Sequence, residues 1–269
     1  MTLLATWVGV DNSKFGYRPS AIYITTDSQF STSIKETFSE GRKTFAMLKH
    51  PDIFGYCGDV LFPTIVIGQL IDEADRGLLF KSNCSVEEKA SIVFEAIKNA
   101  ISVYPPSWTA GSFVIVYCTR DVEKVFHCYR ISWRTRTEAV IEKLPLPDRS
   151  GLVTVEGYRH KEAKQRFESE YNVSKNNNHG TSRTVYHWFT ETLEGNTAYQ
   201  IGKVPQIVAL YRNGPARAIG IISNNERFIS GRKVTSIENL NFVEWRNELF
   251  ERYDAVKLKL LEAAQRQPR

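Results

Sequence analysis

No stretch of this 269-residue sequence is apolar for long enough to span a bilayer, which takes about 18 residues. A membrane partner is therefore not expected. The start lacks the basic segment, apolar core and small-residue cleavage site of a secretory signal, so the expected location is the cytoplasm. Cysteine is scarce: Cys57, Cys84, Cys118 and Cys128 make no CxxC pair and no zinc-type spacing, and are expected to stay reduced. His50, His127, His160, His179 and His187 form no ligand cluster, so no metal site is expected. The net charge of +5 is mild, and Arg266 and Arg269 in the tail supply part of it. No basic stripe with interleaved aromatics is present, which argues against nucleic acid as a partner. There is no internal repeat and no evident interdomain linker.

What is present suits a folded domain. The chain is 42% hydrophobic and 24% charged, ordinary for a globular protein. "LLATWVGV" alternates with period two and reads as a strand beginning right after Thr2. "DNSKFGYRPS" is a turn, and "AIYITTDSQF" a second strand. "RKTFAML" and "IFGYCGD" are two more strands around "KHPD". Two helices follow. The first, within "DVLFPTIVIGQLIDEADRG", stops at Gly77. The second opens with Ser85 and Glu88, the pattern of a capping box, and ends before Pro105 and Pro106. Strands return in "GSFVIVYCT", "KVFHCYRISW" and "GLVTVEGY". Helices are expected near 160–172 and 182–194, then strands "PQIVALYR" and "RAIGIIS". A long charged helix is expected from about Ile237 to Gln265. Strands and helices in blocks argue for packed antiparallel sheets with helices outside, an α+β fold, and against a parallel sheet.

A strand that starts at Thr2 places a hydroxyl and, once Met1 is removed, a free α-amine on one residue. That amine has a pKa of about 7.7–8.0, so a useful fraction is neutral and can take the hydroxyl proton. Asp27 ends the second strand and Lys43 opens the third. A lysine buried beside the threonine needs a carboxylate partner, and its charge would favour a developing alkoxide. Gly58 stands where a strand turns into a helix, where a backbone amide can face an oxyanion. Taken singly, Asp27 reads as a turn former, Lys43 as a surface charge and Gly58 as a helix-entry glycine.

Together, the stretch "MT…WVGV…AIYITTDSQFS…RKTFAMLKHPDIFGYCGD" resembles the proteasome β-subunit family and its bacterial relatives, which are N-terminal nucleophile hydrolases. The resemblance covers most of residues 2–230. It implies a four-layer αββα sandwich over residues 1–236, with 237–269 as an added C-terminal helical extension. It implies Thr2 as nucleophile and base, Lys43 as electrostatic partner, Asp27 as its orienting carboxylate and Gly58 as oxyanion donor. It further implies strand-like pairing of an extended substrate near Ser31 and Gly58, with Phe30 and Tyr56 beside the scissile bond. Sheet-core packing is the alternative for both aromatics. No organic cofactor is implied. Val155-Glu156-Gly157 stands where the family has Gly-Ser-Gly, Gln29 replaces an arginine, and Ala198–Gly202 offers no match for a late Asp…Ser pair. The expected activity is threonine-type peptide-bond hydrolysis, the expected partners a peptide or protein substrate and an activating partner. A homo-oligomer is expected, a ring or stacked dimer, because apolar residues from Val60 to Ile71 cover more than one helical face. The alternatives are a non-catalytic ring or scaffold subunit and a small-amide amidohydrolase.

Overall fold

In the computed structural model, the described residues are 2–13, 16–31, 35–108, 111–175, 179–196, 201–262 and 264. Met1, Ala198–Gln200 and the tip of the first hairpin lie outside them. The elements are β1 (Leu3–Ser13), β2 (Gly16–Asp27), β3 (Phe30–Ser31), β4 (Thr37–Phe38), β5 (Thr44–Ala46), β6 (Asp52–Gly58), α1 (Leu61–Asp75) and α2 (Val86–Val103). Then come β7 (Ser112–Arg120), β8 (Phe126–Arg134), β9 (Val140–Leu144), β10 (Gly151–Gly157), α3 (His160–Arg166) and α4 (Ser182–Glu194). The chain closes with β11 (Pro205–Tyr211), β12 (Arg217–Ser223), β13 (Glu226–Ile229), β14 (Arg232–Lys233), β15 (Glu244–Arg246), β16 (Tyr253–Asp254) and β17 (Lys259–Leu260).

One sheet runs β10-β1-β2-β11-β12-β13-β14, with β15 also on β12; the other runs β5-β6-β7-β8-β9. Among the described residues, every strand pairing in these sheets is antiparallel except β12 with β15. The alternation of β1 has a direct cause: both its faces are covered. Leu3, Ala5 and Trp7 pack with α3 and α4, while Leu4 and Val8 join Ile53, Val116 and Cys128 of the other sheet. A third cluster packs α1 and α2 on Phe54, Tyr56, Ile115 and Tyr117. The α+β class is thus observed, as mostly antiparallel sheets with four α-helices among the described residues.

Helix boundaries follow local chemistry. Ser85 Oγ accepts the Glu88 amide at 3.1 Å and Glu88 Oε2 accepts the Ser85 amide at 2.7 Å, so the expected capping box closes. The Asp59 carboxylate accepts the Phe62 amide at 2.9 Å and begins α1. The helix expected over 160–172 is α-helical to Arg166 and then widens to a π turn over Phe167–Tyr171. The short edge strand β9 is mostly exposed and carries no apolar alternation, so the sequence pattern missed it.

The expected C-terminal helix is corrected. Among the described residues after Ile237 there is a short 3-10 turn at Leu240–Phe242, then β15 and a β16–β17 hairpin. Asn239, Phe250 and Leu258 adopt φ of 58°, 59° and 49°, which no continuous α-helix allows. Tertiary packing overrides helical spacing. β15 pairs with β12, and the Trp245 ring fills the space over Gly220, where a Cβ would lie 2.3 Å from it. Phe250 packs against Trp7, Tyr23 and Tyr186.

Candidate active site

β2 ends at Asp27 and β5 is entered from Lys43, and the fold brings their side chains together. Both are completely buried, and Lys43 Nζ lies 2.9 Å from Asp27 Oδ2. A buried ammonium needs this partner, because Coulomb attraction and hydrogen bonds must offset its lost hydration. The pair is held from several sides. Asp27 Oδ2 also accepts the amides of Gln29 at 3.0 Å and Gly202 at 3.1 Å, and Oδ1 accepts the Leu3 amide at 3.2 Å. Lys43 Nζ donates a second bond, at 2.6 Å, to the Gln29 carbonyl. Burial pushes the Lys43 pKa below the ordinary lysine range, and Asp27 pulls it back.

The Leu3–Asp27 bond fixes the start of β1 over this pair. Thr2 is buried, and its carbonyl accepts the Tyr158 amide at 2.8 Å. Gly157, at φ +91°, lies so close that a Cβ there would sit 2.0 Å from the Thr2 carbonyl oxygen. The residue preceding Leu3 is therefore clamped between Asp27 on one side and β10 on the other. Gly58 ends β6 with φ +97°, and a Cβ would lie 2.4 Å from the Ser112 carbonyl oxygen. Gly58 and Gly157 both border a cavity of about 510 Å³, which Arg130, Trp133, Glu156 and His160 also line. Burial pushes the neighbouring Cys57 thiol up to about 12, so it stays protonated at neutral pH.

The residues expected to meet substrate fare differently. Phe30 and Ser31 are half-buried on β3, and Lys43 Nζ lies 5.6 Å from the Phe30 ring centre. Tyr56 is a correction: it is completely buried within the helix-covered cluster, and its hydroxyl meets Thr64 Oγ1 at 2.6 Å. It is a core residue, because β6 alternation turns its side chain toward α1.

Two groups were missed. Gln206, almost completely buried, accepts the Lys43 amide at 2.9 Å and the Thr44 amide at 3.2 Å. Its amide nitrogen donates to the Asp27 carbonyl at 3.0 Å and the Gly41 carbonyl at 2.8 Å. One side chain thus ties the end of β2 to the start of β5. The sequence signal was a single polar residue near the head of the apolar run "PQIVALY". The second group is Glu156, whose Oε1 lies 2.9 Å from Arg130 Nε and 2.6 Å from Thr154 Oγ1.

With this geometry, the chain resembles Anbu (ancestral beta-subunit) from Yersinia bercovieri, with a TM-score of 0.53. The likeness is one of fold. Identity is 11%, and the match covers 80% of this chain and 82% of that one. No family model matches the sequence, and no curated protein matches it. The resemblance to the proteasome β-subunit family is corrected on that ground: the shared property is the backbone architecture, and 11% identity carries no family membership. Among the described residues, no helix is long and apolar enough to cross a membrane.

Proposed function

We propose that this chain is a threonine-dependent N-terminal nucleophile hydrolase acting on peptide bonds. The observation that carries this reading is the completely buried Lys43–Asp27 pair, hydrogen-bonded to the main chain of Leu3. A fold does not need a buried ammonium next to its first strand for stability alone, since apolar replacements often do as well or better. After loss of Met1, the Thr2 amine takes the Oγ1 proton as Oγ1 bonds to the substrate carbonyl carbon. The Lys43 ammonium stabilises the negative charge on Oγ1, and the Gly58 amide receives the oxyanion. Collapse breaks the C–N bond, and the proton goes to the leaving amine. Water then hydrolyses the Thr2 ester and restores the hydroxyl. Phe30 and Ser31 border the extended substrate in this reading.

The three apolar clusters support reading the layers as helix, sheet, sheet, helix, with residues after 237 wrapping one sheet. Assembly is part of the proposal. On α1, Phe62, Val66, Ile67 and Leu70 face inward, while Leu61 and Ile65 are 47% and 43% exposed one turn apart. A second copy seated there would give the ring or stacked dimer, whose mass light scattering would read.

A rival reading, a non-catalytic subunit of the same fold, is favoured by one observation: Thr2 is 4% exposed. Intact-mass measurement combined with peptide hydrolysis separates the two. The hydrolase reading expects loss of Met1, and turnover that disappears in Thr2→Ala. Retained Met1 in a chain that still hydrolyses peptide would sink the mechanism, and absence of any turnover in the Met1-free chain would favour the rival.

A further inference from the structure

At the far end of β1, about 20 Å along the strand from Thr2, a second cavity of about 550 Å³ opens between Gly9, the start of α4 and the closing segment. Its charged lining is Arg183, Arg246 and Arg252 against Asp11 and Glu251. Arg183 is the unusual member. It is 4% exposed, yet its Nε and Nη1 are buried with no hydrogen-bond partner among the described residues. A guanidinium carries five donors, and leaving them unmet when buried is costly. Its position adds to the cost, because it is the second residue of the 13-residue helix α4, at the positive end of the helix dipole. The Thr181 hydroxyl accepts the Thr184 amide at 3.2 Å, and the first-turn amides of Ser182 and Arg183 have no acceptor within the helix itself. Arg246 lines the same cavity and carries a further buried, unpartnered Nε, while its Nη atoms bond the Phe250 carbonyl at 3.0 Å and Glu244 at 2.6 Å. Glu251 is an opposing charge felt by Arg183, and its Oε2 already accepts Asn247 Nδ2 at 2.8 Å.

We propose that this cavity is a binding site for a phosphate oxyanion, held by the Arg183 guanidinium, the Nε edge of Arg246 and the first-turn amides of α4. An anion with several oxygens answers every unmet donor at once. Two guanidiniums and a helix N-terminus form the donor set suited to phosphate. The site is independent of Thr2 and of the proposed hydrolysis. The phosphate is either inorganic or the end of a phosphate ester, since the cavity is larger than one phosphate group.

Calorimetric titration of the full chain with inorganic phosphate tests the proposal. The wild type should show saturable one-to-one binding. Arg183→Met should weaken it by about tenfold or more, without lowering the melting temperature of the phosphate-free protein, because the substitution removes an unpartnered buried charge. Glu251→Gln should tighten it, and decides the matter if Arg183→Met fails to fold. Phosphoserine binding more tightly than inorganic phosphate identifies an ester as the ligand, and equal binding identifies the free ion. Absence of saturable binding by the wild type, or affinities unchanged in the foldable variants, would overturn the site.

Discussion

Neutralising the two members of the Lys43–Asp27 pair should have unequal consequences, and the inequality can be worked from the bonds around them. In Lys43→Met the side chain keeps its length and loses its charge. The Asp27 carboxylate then still accepts the amides of Leu3, Gln29 and Gly202. Three backbone donors are a sound environment for a buried carboxylate, so the loss is that of one charged hydrogen bond, about 1–3 kcal/mol. In Asp27→Asn the ammonium remains, with the Gln29 carbonyl as its remaining strong acceptor besides one neutral amide oxygen. The new amide group cannot satisfy both sides either. With its oxygen toward Lys43, its NH2 meets the Leu3 amide, donor against donor. An uncompensated buried charge costs about 3–5 kcal/mol. Asp27→Asn should therefore lower the urea midpoint more than Lys43→Met, with an unchanged denaturant slope. At roughly 2–4 °C per kcal/mol for a large domain, the two melting temperatures should differ by several degrees. Hydrolysis should fall by about 100–1,000-fold in both. Equal midpoints, or Lys43→Met the weaker protein, would refute this account of what holds the pair.

Gly157→Ala combines a forbidden contact with the Thr2 carbonyl and a left-handed backbone, so it should cost about 1–3 kcal/mol in strain and also displace Thr2. A variant of normal stability and normal turnover would contradict the clamp. Gln206→Ala should leave the Lys43 and Thr44 amides unmet, destabilise by about 1–3 kcal/mol and slow peptide hydrolysis, read by urea melting and initial rates. Burial lowers the Lys43 pKa in the folded state, so the unfolded chain holds its proton to higher pH. Stability from this group should therefore rise with pH between the lowered value and about 10.4, and Lys43→Met should lack that increment. A wild-type minus variant difference that falls with pH over that window would overturn the assignment. Double substitution of Leu61 and Ile65 by serine should leave folding intact and dissociate any oligomer, checked by light scattering.

Much of the architecture was legible because each signal was local. Period-two alternation gave β1, β2, β7 and β8, and the Ser85/Glu88 box with Pro105 bounded α2. The Asp27–Lys43 pairing was also legible, since a lysine buried beside the first strand needs a carboxylate partner and Asp27 ends the second strand. What failed depended on distant segments. The tail from Ile237 spaces its apolar residues like a helix, but β12 and the bare face of Gly220 hold it as a strand. Tyr56 follows an alternation that fixes a face without saying which face meets substrate. Gln206 acts through partners far away in sequence, and the charged partner of Glu156, Arg130, lies a strand away, so nothing near either residue announces them. Arg183 looks like an ordinary surface arginine at a helix start until burial shows that its Nε and Nη1 lack partners.

The clamp on the start of β1 also sets when the site can exist. Leu3 pairs with Gly157, the Asp27 carboxylate accepts the amide of Gly202, and the Asp27 carbonyl accepts the side-chain amide of Gln206. During synthesis at about 5–20 residues per second, some 10–40 seconds separate the first strand from the residues that complete its site. Under the proposed function, Thr2 would be synthesised long before the residues that organise its surroundings. On the proposed reading, a growing chain would carry an inert threonine, and hydrolytic competence would arrive only when nearly the whole domain can close.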